Sequence, residues 1–208
     1  MSINKQHPST KYTVGSQYIC FDSMDEQNEW TQTFESDVVE LPTVIDVDIK
    51  DNTDAYDRYA SGALYEADSP VTSQEITETN IAFPPMLLAK MRGEEVDEAG
   101  IVLGGGHGAR PYFAYGCAIV NKDGSRELRW YPKCKLRENS DKTETSEENH
   151  KEQNDTVTIK AYGFNDNGNT YIKAITSEDG MAGMDEDKFF AAPVLTIDAA
   201  KALLNSTP

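Results

Sequence analysis

From Arg110 to Arg137 the chain reads RPYFAYGCAIVNKDGSRELRWYPKCKLR, and this stretch decides the fold. Phe113, Tyr115, Cys117 and Ile119 share one parity of an apolar run. The NKDGS segment that follows is built from Asn, Asp and Gly, which tolerate the positive φ of a tight turn. The return run alternates, with Leu128, Trp130, Pro132, Cys134 and Leu136 at one parity and Arg129, Tyr131, Lys133, Lys135 and Arg137 at the other. A two-residue period is that of a strand with one buried and one wet face. The stretch predicts a long antiparallel hairpin with one basic, exposed face.

Downstream, ENSDKTETSEENHKEQND (138–155) has no large apolar residue, so it cannot bury enough surface to order alone. TVTIKAYGF, NDNGN and TYIKAI (156–175) then predict a second hairpin. Near the end, Thr196 suits an N-cap, with Ala199, Leu203 and Leu204 as the apolar stripe of a terminal helix. Upstream, FPPMLLAKMRG (83–93) predicts a short helix. Prolines are tolerated in its first turn, Leu87, Leu88 and Met91 form its apolar face, and Gly93 caps it. EITETNIA (75–82) is a short strand, and DNTDAYDRYASGALYEADSP (51–70) a polar loop carrying Tyr56, Tyr59 and Tyr65. Val39, Leu41, Thr43, Ile45, Val47 and Ile49 mark another strand, with Glu40, Asp46, Asp48 and Lys50 on its wet face. Pro42 lacks the ladder donor, so this strand lies at an edge or breaks there. Residues 1–35 are an N-terminal arm and first strand with Trp30 and Phe34 as anchors, 36–180 the main β domain, and 181–208 a C-terminal extension with its helix.

Composition bounds the function. The 208 residues suffice for one good core. There are 36 acidic against 19 basic residues, a formal net charge of -17, and a field of that sign repels phosphates, which excludes sequence-reading of nucleic acid. No segment approaches the roughly 20 apolar residues of a membrane helix. The N-terminal stretch lacks the apolar middle of a signal peptide, so a cytoplasmically made chain is expected. Cys20, Cys117 and Cys134 are odd in number and widely spaced, which fits reduced thiols rather than disulfides or zinc.

LGGGHGA (103–109) is not a phosphate loop, because a strand follows it instead of a helix, Pro111 removes a donor, and no GK[ST] is present. His107 has no GxSxG serine or orienting carboxylate to work with. The run is a turn. Neighbouring acids abound, but a catalytic pair is defined by geometry. DVDIKDNTD (46–54) lacks the Gly and closing Glu of an EF-hand. No catalytic, metal or cofactor site is expected.

Taken in order, RYASGALYEADSP, EITETNIAFPPMLLAKMRGEEVDEAGIV and ARPYFAYGCAIVNKDGSRELRWYPKCKL, followed by the Glu-rich segment and DTVTIKAYGF, resemble the major tail tube proteins of long-tailed, non-contractile bacteriophages of Gram-positive hosts. The resemblance runs from about Asp57 to Ile175. RWYPKCKL departs from the family's Y-x-x-W-L-Y-K-G-K character at Pro132 and Cys134. It implies a mostly β, α+β fold, with two packed antiparallel sheets as a sandwich or partly closed barrel, a flanking short helix and a C-terminal helix. It further implies a non-enzymatic virion protein without cofactors, assembled in the host cytoplasm into hexameric rings that stack as a tube. The partners implied are other copies, a tape-measure protein, and tail terminator and distal tail proteins. DNA would pass through the lumen without specific binding, and no membrane is involved. Glu40, Asp46 and Asp48 are then lumen candidates. Glu138, Asp141, Glu144, Glu147, Glu148 and Glu152 belong to a loop (138–153) reaching a neighbouring subunit or ring. Arg129, Lys133, Lys135 and Arg137 form a complementary basic face. The rival expectation is a carbohydrate- or host-surface-binding β-sandwich, with Tyr56, Tyr59 and Tyr65 as an aromatic platform.

Overall fold

The computed structural model describes residues 7–23, 29–106, 108–140 and 153–205. The strands are β1 (Lys11–Phe21), β2 (Val39–Leu41), β3 (Val44–Thr53), β4 (Tyr56–Ala60), β5 (Ala63–Asp68) and β6 (Val71–Asn80), then β7 (Glu95–Val96), β8 (Val102–Leu103), β9 (Phe113–Asn121), β10 (Arg126–Ser140), β11 (Asp155–Tyr162) and β12 (Ile172–Ile175). The helices are α1 (Pro85–Arg92), α2 (Glu186–Phe190) and α3 (Ile197–Asn205). No helix among the described residues is long and apolar enough to cross a membrane.

The main sheet runs β2–β1–β9–β10–β11–β6–β3, all antiparallel, with β12 added beside β10. Its two end strands are consecutive in the chain, separated only by Pro42 and Thr43. The strand does break at Pro42, one part pairing with β1 and the other with β6. The sheet therefore curls until its ends meet at a covalent corner, and no ladder closes the barrel among the described residues. In a flat sheet β1 and β6 would lie about 19 Å apart. Here the Gln17 amide of β1 is 2.8 Å from Asn80 of β6. The result is the expected mostly β, α+β sandwich, made by folding one sheet over itself.

Two cores follow from this folding. Inside the curl, Ile19, Phe21, Ile76, Phe113, Tyr115, Tyr131, Leu136 and Ile159 pack together, with Leu87, Leu88 and Met91 of α1 closing one side. Outside it, Tyr18, Ala114, Ala118, Leu128 and Trp130 are covered by Phe189 and Phe190 of α2 and Ala200 of α3. The sequence did not predict α2. Asp185 caps it through the Asp187 N–H, Trp130 Nε1 donates to the Phe189 carbonyl at 2.9 Å, and Phe190 stacks on Tyr18 at 3.9 Å. Strand β9 serves both cores, and its helix-facing side chains are small. A Cβ at Gly116 would sit 2.8 Å from the Phe190 ring and 3.1 Å from Trp130. Thr196 caps α3 as expected, its Oγ1 accepting from the Ala199 N–H at 3.1 Å, although Ala200 rather than Ala199 is the buried residue. Helix α1 starts at Pro85 and ends on Gly93 at φ 70°.

The expected single apolar face of the return strand is divided. Between Tyr131 and Cys134 the β9 register slips by one residue. A bulge of this kind reverses which parity faces inward. Leu128 and Trp130 join the outer core, whereas Cys134 and Leu136 join the inner one. Pro132 sits in the bulge, where a ladder donor is not required. A second slip, between Val44 and Asp46, pushes Ile45 out to 47% exposure while Val47 and Ile49 stay on the core.

The inner core holds one carboxylate, Glu78, fully buried on β6. With its amide turned to donate, Gln17 reaches both Glu78 oxygens at 2.9 and 2.5 Å. Burial pushes this carboxyl up from 4.5 to about 7, against the weaker opposing effects of Tyr115 and Asn80. The folded protein thus holds a proton that the unfolded chain releases between those values, so this group makes stability fall as pH rises from 4.5 to 7. Glu78→Gln is expected to flatten that fall and to stabilise the protein by roughly 1–3 kcal/mol at pH 8, with little change at pH 4.5, in urea denaturation. Gly116→Val is expected to cost about 1–3 kcal/mol by overpacking, with a loss of near-ultraviolet Trp signal as α2 shifts off Trp130.

Candidate assembly surfaces

Strands β3, β6, β11 and the second half of β10 form one half of the folded sheet. Val47, Ile49, Ile76, Glu78, Val157, Ile159, Cys134 and Leu136 point inward, so the alternating residues point out. No helix covers this outer face among the described residues, and its side chains are polar apart from Ile45 at the β3 bulge. A register slip between Leu136 and Glu138 brings Glu138 to this face, and cross-strand rows read Asp48–Thr77–Thr158–Glu138 and Lys50–Glu75–Lys160–Lys135. The face ends at β3, which pairs only with β6.

This face gathers candidates that the sequence placed apart. Asp46 and Asp48 lie on it at the β3 end, with Lys50 Nζ 3.6 Å from Asp48. Lys133, Lys135 and Arg137 lie at the β10 end beside Glu138, and Lys160 joins them from β11. Lys135 Nζ is 3.9 Å from the Tyr112 ring centroid, Lys133 Nζ is 4.9 Å from Trp30, and Lys160 Nζ is 5.3 Å from Tyr162. Burial, and then the charge of Lys133, push the Lys135 pKa down.

Arg129 is not part of this surface. It precedes the bulge, is largely buried, and bonds Glu127 at 2.6 Å. Glu40 is also elsewhere, opposite Tyr18 on the α2 side of the sheet. Asp141, Glu144, Glu147, Glu148 and Glu152 fall outside the described residues.

Residues 51–70, expected as a polar loop, are instead the end of β3 and the β4–β5 hairpin, which leads into β6 at Val71. Ser61 and Gly62, at φ 51° and 79°, make its two-residue turn. Every residue of the hairpin is exposed. Its register sets Tyr59 opposite Leu64 and Arg58 opposite Glu66, with Tyr65 as the extra residue of a bulge. Tyr56 and Tyr59 therefore fall on opposite faces, and the three tyrosines do not build one platform. Tyr59, Leu64 and Tyr65 are 70%, 54% and 78% exposed, an apolar tip left uncovered by the described residues.

The glycine run has a packing role. A Cβ on Gly93 would lie 2.5 Å from the Ala109 carbonyl oxygen, and one on Gly108 would lie 2.9 Å from that of Gly93. The chain thus returns hard against the end of α1 before entering β9, while Arg110 donates to the Leu136 carbonyl at 2.8 Å and to that of Arg137. His107 lies outside the described residues. The NDNGN turn closes on itself, Asn165 bonding Asn169 at 3.0 and 2.9 Å.

No family model matches the chain, and no curated protein matches it. Among solved structures it is similar to the tube-terminating cap of the anti-feeding prophage, at 10% identity over 84% of this chain and 96% of that one, with a TM-score of 0.45. It is similar to the extended sheath-tube complex of an extracellular contractile injection system (PVC), at 11% identity, 82% and 93% coverage and a TM-score of 0.42. The anti-feeding prophage baseplate is a third, at 5% identity, 82% and 97% coverage and a TM-score of 0.41.

Replacing both Tyr59 and Leu64 by Ser is expected to change stability by no more than about 0.5 kcal/mol, since both are exposed. Urea denaturation is expected to show the wild-type transition to within that margin.

Proposed function

We propose that this chain is a structural tail protein without catalytic activity, whose copies close into hexameric rings that stack as a tube. The observation that carries this reading is the uncovered polar face of β3–β6–β11–β10, bounded by a ten-residue edge strand and continued by an apolar-tipped hairpin. A long unpaired edge is a liability in a monomer, and an isolated two-stranded hairpin is marginal in water. Both are resolved when neighbouring copies cover them. Rotational, head-to-tail contacts of this kind close into rings.

In such a tube the polar face lines the channel. Asp46 and Asp48 then stand at the channel side of the subunit, where their negative charge offsets nearby cations and keeps phosphates from adhering. Glu40 serves the α2 side of the subunit instead. The acidic segment 138–153 contacts the next subunit or ring, and the tape-measure, terminator and distal tail proteins meet the tube at its lumen and ends. The protein resides in the assembled particle after assembly in the cytoplasm of the host.

Negative-stain electron microscopy of concentrated protein, beside light scattering of the same sample, is expected to show hollow tubes or six-membered rings. Deleting 141–152 is expected to leave a cooperatively folded protein that no longer forms tubes. A wild-type protein that stays monomeric at every concentration, with the tape-measure partner present, would overturn the proposal.

A further inference from the structure

Lys135 and Lys160 are direct cross-strand partners, and Lys133 stands beside them. Like charges placed opposite one another destabilise a sheet. In a chain with nearly twice as many acids as bases, a carboxylate neighbour would be the simple remedy, yet none of these lysines has one within ion-pair distance among the described residues. Glu75, the other cross-strand neighbour of Lys160, has its carboxylate 3.9 Å from Arg137. The lysines rest instead on Tyr112, Trp30 and Tyr162, which holds the ammonium groups in place without neutralising them.

At the far end of the same face, about 14 Å away across three strand spacings, Asp46 and Asp48 are exposed, with Lys50 as the one nearby cation described. Counting Lys50 at one end and Glu138 at the other, the face carries an excess of acid at β3 and an excess of base at β10–β11, along the direction in which strands add. A molecule with opposite charges at opposite ends of one face is complementary to its own copy head to tail and repelled by it head to head. With a net charge of -17, copies repel at long range, so attraction has to be supplied locally where they meet.

We infer that neighbouring copies meet at a charge-paired seam, in which Asp46 and Asp48 of one copy lie against Lys133, Lys135 and Lys160 of the next. The inference rests on the ring-forming reading above and names the contact that closes the ring. The seam also neutralises the lysines, so that the surface they share with the acidic edge presents no net positive charge to a polyanion. Heterologous pairing of this kind sets the direction of growth around the ring.

The test is a charge swap. Asp46→Lys/Asp48→Lys and Lys135→Glu/Lys160→Glu are made separately, and each is checked for a wild-type melting profile. Each alone is expected to lose ring formation at least tenfold in sedimentation velocity, because like charges now face each other at every seam. An equimolar mixture is expected to recover rings, since each Glu-bearing patch finds a Lys-bearing edge and copies alternate. Raising the salt from 0.05 M to 1 M is expected to weaken wild-type assembly. Rings formed by either variant alone, or no rescue on mixing, would overturn the seam while leaving ring formation by wild type intact. Absence of rings from wild type itself would instead remove the reading on which the seam rests. If Lys135→Glu/Lys160→Glu assembles normally but loses binding to a fluorescent duplex oligonucleotide that wild type retains, the lysines serve phosphates and the seam is wrong.

Discussion

The bulge between Tyr131 and Cys134 is the constraint on which the rest of the molecule depends. A regular strand has one inward and one outward parity along its whole length. Strand β10 is 15 residues long and cannot serve two cores on opposite faces without breaking that rule once. The extra residue reverses the parity, so Leu128 and Trp130 reach Phe189 and Phe190, while Cys134 and Leu136 reach the interior of the curl. It also divides the neighbours of β10 on one side into β12 and then β11. The helix-covered half and the uncovered half of the sheet part at this irregularity, and a second slip between Leu136 and Glu138 sets the outward residues at the end of β10.

Folding a single sheet over itself brings polar groups from distant strands together inside. Gln17, Glu78 and Asn80 are each fully buried, and their mutual bonds offset much of the desolvation that each incurs. Leaving a carboxyl there with a pKa near 7 still makes the fold sensitive to pH where an apolar group would not. The same closure frees the opposite face of β3–β6–β11–β10 from any packing duty. That freedom is why its residues can be threonines, acids and lysines, and why it is available to a neighbouring copy.

Much of the secondary structure was legible in the sequence. The paired strands of 110–137, the NKDGS turn and the prolines at the start of α1 each carry a local physical signal, and each lies where that signal puts it, whereas the second hairpin expected over 156–175 does not form, because β12 pairs with β10 rather than with β11. Helix α2 was not legible. Five residues give no helical period to count, and Phe189 and Phe190 show their purpose only against Tyr18 and Trp130. The β4–β5 hairpin was hidden by its polarity, since a ribbon exposed on both faces shows no alternation between apolar and polar residues. Its Ser-Gly turn was the one available sign.

The basic surface shows the same division. By parity alone Arg129, Lys133, Lys135 and Arg137 are one face, but Arg129 turns inward because the bulge lies between it and the others. Lys160, on the next strand and outside the β10 pattern, completes the surface through the β10–β11 register. The sequence by itself determined the long apolar strands, the turn between β9 and β10, the main helix and the acidic balance, because period, φ preference and charge are properties of neighbouring residues. Tertiary structure alone decided which parity faces in, where the sheet closes and which charges share a face, because these depend on register and bulges set by packing between strands remote in the chain.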